Sequence, residues 1–270
     1  MMIQTSYGKI HVERHGDASK PVLVLLNGIM MSTLSWTMFV SKFTPYVHLV
    51  LIDFLDQGQS EKINQEYTVH NQRECLHQVL SELRLTSFHL CGISYGGEVA
   101  LDYAINHQEN IQSLMLFNTT MKTSLWLKDI GDSWIKATND PLTFYLTTLP
   151  TIYSHSFYES HQDWMKQRKE TLLGVFSNQA FLDAMVRLTH SSESFDVSSH
   201  VHQITVPTLV VSSDLDTITP PYEQKAIADK IENSHYVIIQ GSGHASMYEK
   251  PNLFVSLILG HIMSDHQLSL

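Results

Sequence analysis

Basic residues are scarce in this 270-residue chain: 17 Lys and Arg stand against 27 Asp and Glu, a formal charge of −10. No run of Lys or Arg gathers the positive charge, so a phosphate backbone or an anionic lipid surface finds no general attraction. The expected partner is a small-molecule substrate, not nucleic acid and not a membrane. Cysteine is rarer still. Cys75 and Cys91 are too few for a disulfide framework. Cys91, inside the apolar run Phe88–Cys91, reads as a small buried hydrophobe, and Cys75 has no His partner at motif spacing. With 12 Gly and 8 Pro, collagen-like and low-complexity chains are excluded. No stretch approaches the roughly 18 consecutive apolar residues of a membrane helix. Met1–Gly16 is polar, without the apolar core of a signal peptide. The expected address is the cytoplasm, with reduced thiols.

What is present is alternation. Short apolar runs at Val22–Leu26, His48–Ile52, Phe88–Cys91, Ser113–Phe117, Thr208–Ser212 and Tyr236–Ile239 read as strands covered on both faces. Helical patterns fall between them at Val69–Glu82, Gly97–His107, Tyr222–Ile231 and Leu253–Ile262. Ile10–Glu13 alternates as an antiparallel edge hairpin would. The expected fold class is α/β: an eight-stranded, mostly parallel sheet flanked by helices. Residues 120–203 break the pattern. They read as helical, punctuated by Pro141 and Pro150, and hold 11 of the 26 aromatic residues. Such an excess fits an insertion with an apolar underside, some rings packing its own core and some facing a substrate cavity.

The strongest local signal is Gly92-Ile93-Ser94-Tyr95-Gly96-Gly97, between a strand and a helix. A G-x-S-x-G turn there holds its serine in a strained conformation, at the positive end of a helix dipole. Side chains at positions 92 and 96 would collide with neighbouring backbone. With this motif the chain resembles the α/β-hydrolase fold superfamily, in its serine-nucleophile, esterase-like branch. Other segments match in order. Asn27-Gly28-Ile29-Met30 resembles the oxyanion loop, with Asn27 where relatives usually have His. Asp53 to Ser60 resembles a structural turn of the family, with Leu55, Asp56 and Gln57 where Arg, Gly and His are common. Pro207 to Pro220 resembles the segment supplying the acid, and the Asp-x-x-x-Pro spacing selects Asp216 over Asp214, which reads as a turn residue. Some relatives carry the acid near Asn118, which cannot be anionic. Gly241-Ser242-Gly243-His244 resembles the histidine loop.

The resemblance implies a catalytic set of Ser94, Asp216 and His244, with the backbone N–H groups of Ile29 and Tyr95 as oxyanion hole. It also implies a core of residues 1–119 and 204–270, with 120–203 as a helical cap after the sixth strand. The expected reaction is cleavage of a small, largely apolar carboxylic ester or thioester through an acyl-enzyme on Ser94, without cofactor or metal. A C–C hydrolase or lyase using the same residues, and a receptor of this fold with slow turnover, stay open. His200-x-His202 has a ligand-like spacing, but no Cys or carboxylate cluster accompanies it.

Overall fold

Eight strands form one sheet in the order β1-β2-β4-β3-β5-β6-β7-β8 in this computed structural model, which describes residues 1–264. They are β1 (Met2–Gln4), β2 (Lys9–His15), β3 (Val22–Leu26), β4 (His48–Ile52), β5 (Phe88–Ile93), β6 (Ile111–Phe117), β7 (Thr208–Ser213) and β8 (Ser234–Ile239). β2 pairs antiparallel with β1 and β4, and the remaining pairs are parallel. The edge hairpin and the eight strands follow the expectation from sequence. Each central strand is buried on both faces, and its alternate residues enter two separate cores. Val24, Val50, Leu90, Leu114 and Val210 point into one; Leu25, Leu51, Cys91, Met115 and Val211 into the other. That division explains the unbroken apolar runs.

The helices α1 (Thr37–Phe43), α2 (Val69–Glu82) and α3 (Tyr95–Asn106) lie between the early strands. Between β6 and β7 come α4 (Leu125–Ala137), α5 (Pro141–Ile152), α6 (His155–Ser160), α7 (Gln162–Phe176) and α8 (Gln179–Ser192). After β7 follow α9 (Pro221–Ala228), α10 (Ser246–Glu249) and α11 (Pro251–Met263). Leu76 of α2 and Val99 of α3 belong to the first core, and Phe39 of α1 and Phe254 of α11 to the second. Among the described residues no helix is long and apolar enough to cross a membrane.

The span between β6 and β7 carries no named strand; Lys122 and Asp196 form one isolated bridge at its base. Asp140 caps α5 by accepting the Thr143 N–H at 2.7 Å, and Pro141 opens that helix where a missing N–H costs nothing. Pro150 does not end a helix. It sits in the last turn of α5, and the carbonyl it frees belongs to the exposed Leu146. Arg187 of α8 reaches back to form a two-pronged ion pair with the buried Asp56, at 2.6 and 2.9 Å. Asp56 has φ 70°, a backbone conformation that favours glycine, and this partner accounts for a carboxylate there.

Candidate active site

Parallel strands place all their carboxyl ends at one edge of the sheet, and the loops leaving that edge build the site. The turn after β5 is the tightest. Ser94 has φ 52° and ψ −120°, a conformation a side-chain-bearing residue rarely adopts. The glycines are required by contact. A Cβ on Gly92 would lie 2.3 Å from the Gly96 carbonyl oxygen. One on Gly96 would lie 2.6 Å from the carbonyl oxygens of Leu26 and Asn27. Helix α3 begins at Tyr95, two residues earlier than its pattern suggests, so its unpaired amides lie directly behind Ser94.

Three residues distant in sequence meet here. The Ser94 Oγ is 2.9 Å from His244 Nε2, and His244 Nδ1 is 2.8 Å from Asp216 Oδ2. Paired with a carboxylate, Nδ1 carries the proton and Nε2 is left free to accept one. Asp216 is buried, and its Oδ1 accepts the Ile218 and Thr219 N–H groups at 2.9 and 3.0 Å. Its Oδ2 also accepts from the Thr219 hydroxyl at 3.0 Å and from Asn118 Nδ2 at 2.9 Å. Asp214 instead accepts the Ser242 N–H at 3.2 Å, which ties the β7 turn to the histidine loop.

The loop after β3 borders the same cavity through Gly28, Ile29 and Met30. Asn27, fully buried, donates to the Ile52 carbonyl at 2.9 Å and accepts from the Trp36 indole at 2.7 Å. Gln57 donates to the carbonyls of Gly28 at 2.9 Å and Ile29 at 3.2 Å. These bonds give both carbonyls a partner. Among the described residues, neither the Ile29 nor the Tyr95 N–H has a protein acceptor. The Tyr95 ring faces elsewhere: its hydroxyl is 2.7 Å from the Ser191 hydroxyl, and burial pushes its pKa up.

Several supporting residues carry no sequence motif. In sequence Asn118 reads only as a position unable to be anionic; in the fold it donates to Asp216, with φ 46° and a bond from the Ser246 hydroxyl at 3.0 Å. Glu249 accepts the N–H groups of Gly243 and Ser154 at 3.1 and 2.8 Å, fastening the histidine loop to the helices beyond β6. Glu98, one turn into α3, is buried and lines the cavity over Ser94. Burial pushes its carboxyl up to about 8, although the Ser192 hydroxyl donating at 2.5 Å favours the charged form.

Ser94, His244 and Ile29 open on a cavity of about 160 Å³. Leu149, Ile152, Leu172 and Phe176 give it an apolar wall, and Trp134 and Tyr153 add two more of the aromatic residues between β6 and β7. Other rings there pack on one another, as Phe144 does against Phe176 at 4.8 Å. Trp126 is half exposed and donates to the Thr217 carbonyl at 2.7 Å. Burial raises the Cys75 thiol to about 11 and the Cys91 thiol further, so both stay protonated at neutral pH. His200 and His202 are both exposed.

Comparison with known proteins agrees with this architecture. The family described as alpha/beta hydrolase fold matches residues 21–251. The crystal structure of MGS-M2, an alpha/beta hydrolase enzyme from a Medee basin deep-sea metagenome library, is 42% identical with a TM-score of 0.96. The match covers 100% of this chain and 99% of that one. A 3-oxoadipate enol-lactonase of Acinetobacter baylyi is 24% identical over 266 residues, 98% of this chain and 97% of its own. A putative carbamate hydrolase of Pseudomonas syringae is 24% identical over 252 residues, 91% and 94% of the two chains.

Proposed function

The chain belongs to the α/β-hydrolase fold family, and from that premise we propose that it is a serine hydrolase cleaving a small, largely apolar carboxylic ester through an acyl-enzyme on Ser94. The observation that carries this reading is the hydrogen-bonded chain Ser94–His244–Asp216 opening on an apolar cavity. A serine hydroxyl is a weak nucleophile at neutral pH and needs a base within hydrogen-bond reach. His244 Nε2 takes the Ser94 proton as Oγ attacks the ester carbonyl, and Asp216 stabilises the imidazolium that forms. The negative charge developing on the carbonyl oxygen is received by the N–H groups of Ile29 and Tyr95. One such donor is worth about 3–4 kcal/mol in the transition state. His244 then delivers the proton to the leaving alcohol, and water attacks the acyl-enzyme by the same route in reverse.

Residues 120–203 act in this reading as a cap that closes the cavity and selects the substrate, over a core of residues 1–119 and 204–270. The names of the enol-lactonase and the putative carbamate hydrolase both denote cleavage of a bond between a carbonyl carbon and a heteroatom, which supports the reaction class. The test is a panel of p-nitrophenyl esters graded in acyl length, with Ser94→Ala beside the wild type. Short to medium esters turn over in the wild type and lose at least about 10³-fold in the variant. Undiminished turnover in Ser94→Ala overturns the assignment.

A further inference from the structure

We propose that the cavity takes substrates bearing one carboxylate and that Arg168 binds it, so that the ester cleaved at Ser94 belongs to an apolar molecule with a single anionic end. The proposal rests on the serine-hydrolase reading and narrows its substrate class. Arg168 projects from α7 and lines the same cavity as Ser94 and His244. Its guanidinium carbon lies 4.7 Å from the centre of the Tyr248 ring and 5.7 Å from that of Trp164. Its Nε is buried and has no hydrogen-bond partner among the described residues.

The contrast with two other arginines is direct. Arg73 pairs with Glu74 and Asp102, and Arg187 with Asp56, whereas among the described residues no carboxylate pairs with Arg168. The nearby acids are committed elsewhere. Glu249 holds the Gly243 and Ser154 amides, and Glu193 pairs with His190. Glu98 takes the Ser192 hydroxyl, and burial keeps it protonated at neutral pH. Lys128 and Asp132 of α4, which also border the cavity, are exposed to solvent and screened by it.

The Tyr153 and Tyr248 side chains are its polar neighbours and both are neutral, whereas a guanidinium keeps its charge at any working pH and is costly to remove from water without an anion. The two aromatic rings stabilise its faces, yet neither they nor a neutral hydroxyl supplies the negative charge its in-plane N–H donors are suited to meet, and Nε has no partner among the described residues. Those donors form a rigid fork that matches the two oxygens of a carboxylate. With an apolar wall around it, the cavity reads as a slot for an apolar body, one end held at Arg168 and the ester presented to Ser94.

The test pairs p-nitrophenyl monoesters of six- to eight-carbon dicarboxylic acids with the same molecules capped as methyl esters, buffer hydrolysis subtracted. In the wild type, kcat/KM favours the free acid by about 10- to 100-fold, chiefly through KM, the range of a charge-assisted hydrogen bond. In Arg168→Met that ratio collapses towards one, and in Arg168→Lys it is intermediate; the ratio is internal to each protein, so a general loss of activity cancels. A second readout needs no turnover: heptanoate raises the melting temperature of the wild type and not of Arg168→Met, while heptanamide raises neither. A wild-type ratio near one, or a ratio unchanged in Arg168→Met, overturns the proposal. If neither ester turns over while heptanoate still stabilises only the wild type, the carboxylate subsite stands and the hydrolase reading falls. If both esters turn over without preference and heptanoate has no effect, the reverse holds.

Discussion

Replacing Glu98 by glutamine tests the buried acid of the cavity, because the substitution keeps the shape and the acceptor for Ser192 while removing the charge. In the folded chain burial raises this carboxyl from its ordinary 4.5 to about 8. For an acid raised in this way the native state binds the proton more tightly than the unfolded chain. Below about pH 4.5 the group is protonated in both states and costs nothing. Between 4.5 and 8 the unfolded chain ionises first, so stability falls as pH rises, by about 1.4 kcal/mol per pH unit. Above about pH 8 the loss is complete, with a ceiling of about 5 kcal/mol. The glutamine variant escapes it. Urea unfolding of both proteins from pH 5.5 to 8.5 shows the variant gaining on the wild type by up to about 3 kcal/mol over that range. A stability difference that stays constant from pH 5.5 to 8.5 contradicts a raised pKa and makes Glu98 an ordinary, solvated carboxylate.

Two further outcomes follow from contacts in the site. Asn118→Ala removes a hydrogen bond to the Asp216 carboxylate at 2.9 Å, so kcat on a p-nitrophenyl ester falls about 10- to 100-fold with KM changed little. Asn118 acts through Asp216 as a positioning residue, and a kcat within twofold of wild type contradicts that role. Gly96→Ala forces a Cβ to within 2.6 Å of two carbonyl oxygens, so the protein loses several kcal/mol in thermal unfolding or fails to fold. Gly174→Ala on α7, where a Cβ meets nothing within 4 Å, is the matched control and is neutral or stabilising by up to about 1 kcal/mol.

Much of the molecule is written in local pattern. The elbow glycines announce their own steric reason, and the collisions expected at positions 92 and 96 are the contacts found. Apolar runs buried on both faces marked the sheet, and small residues before His244 marked the histidine loop. What escaped notice depends on encounters across the fold. Asn118 and Asp216 are 98 residues apart, and nothing near either tells that one holds the other. Glu98 resembles the acidic residue common in a helix's first turn, where the dipole favours its charge; in the fold it is buried and takes the hydroxyl of Ser192, at the end of α8. Arg168 sits among Lys, Gln and Glu on α7 and looks like any residue of a solvated helix face. Its environment is made by Tyr248, which arrives 80 positions later, after β8.

If Ser94 carries the acyl group, rapid quenching catches it there. Wild-type protein mixed with a p-nitrophenyl ester, quenched in acid within milliseconds, digested and mapped by mass spectrometry reports which residue bears the acyl mass. That mass is expected on the peptide containing Ser94 and absent from Ser94→Ala. An acyl group on another residue, or steady turnover with no modified peptide at any quench time, contradicts that role for Ser94.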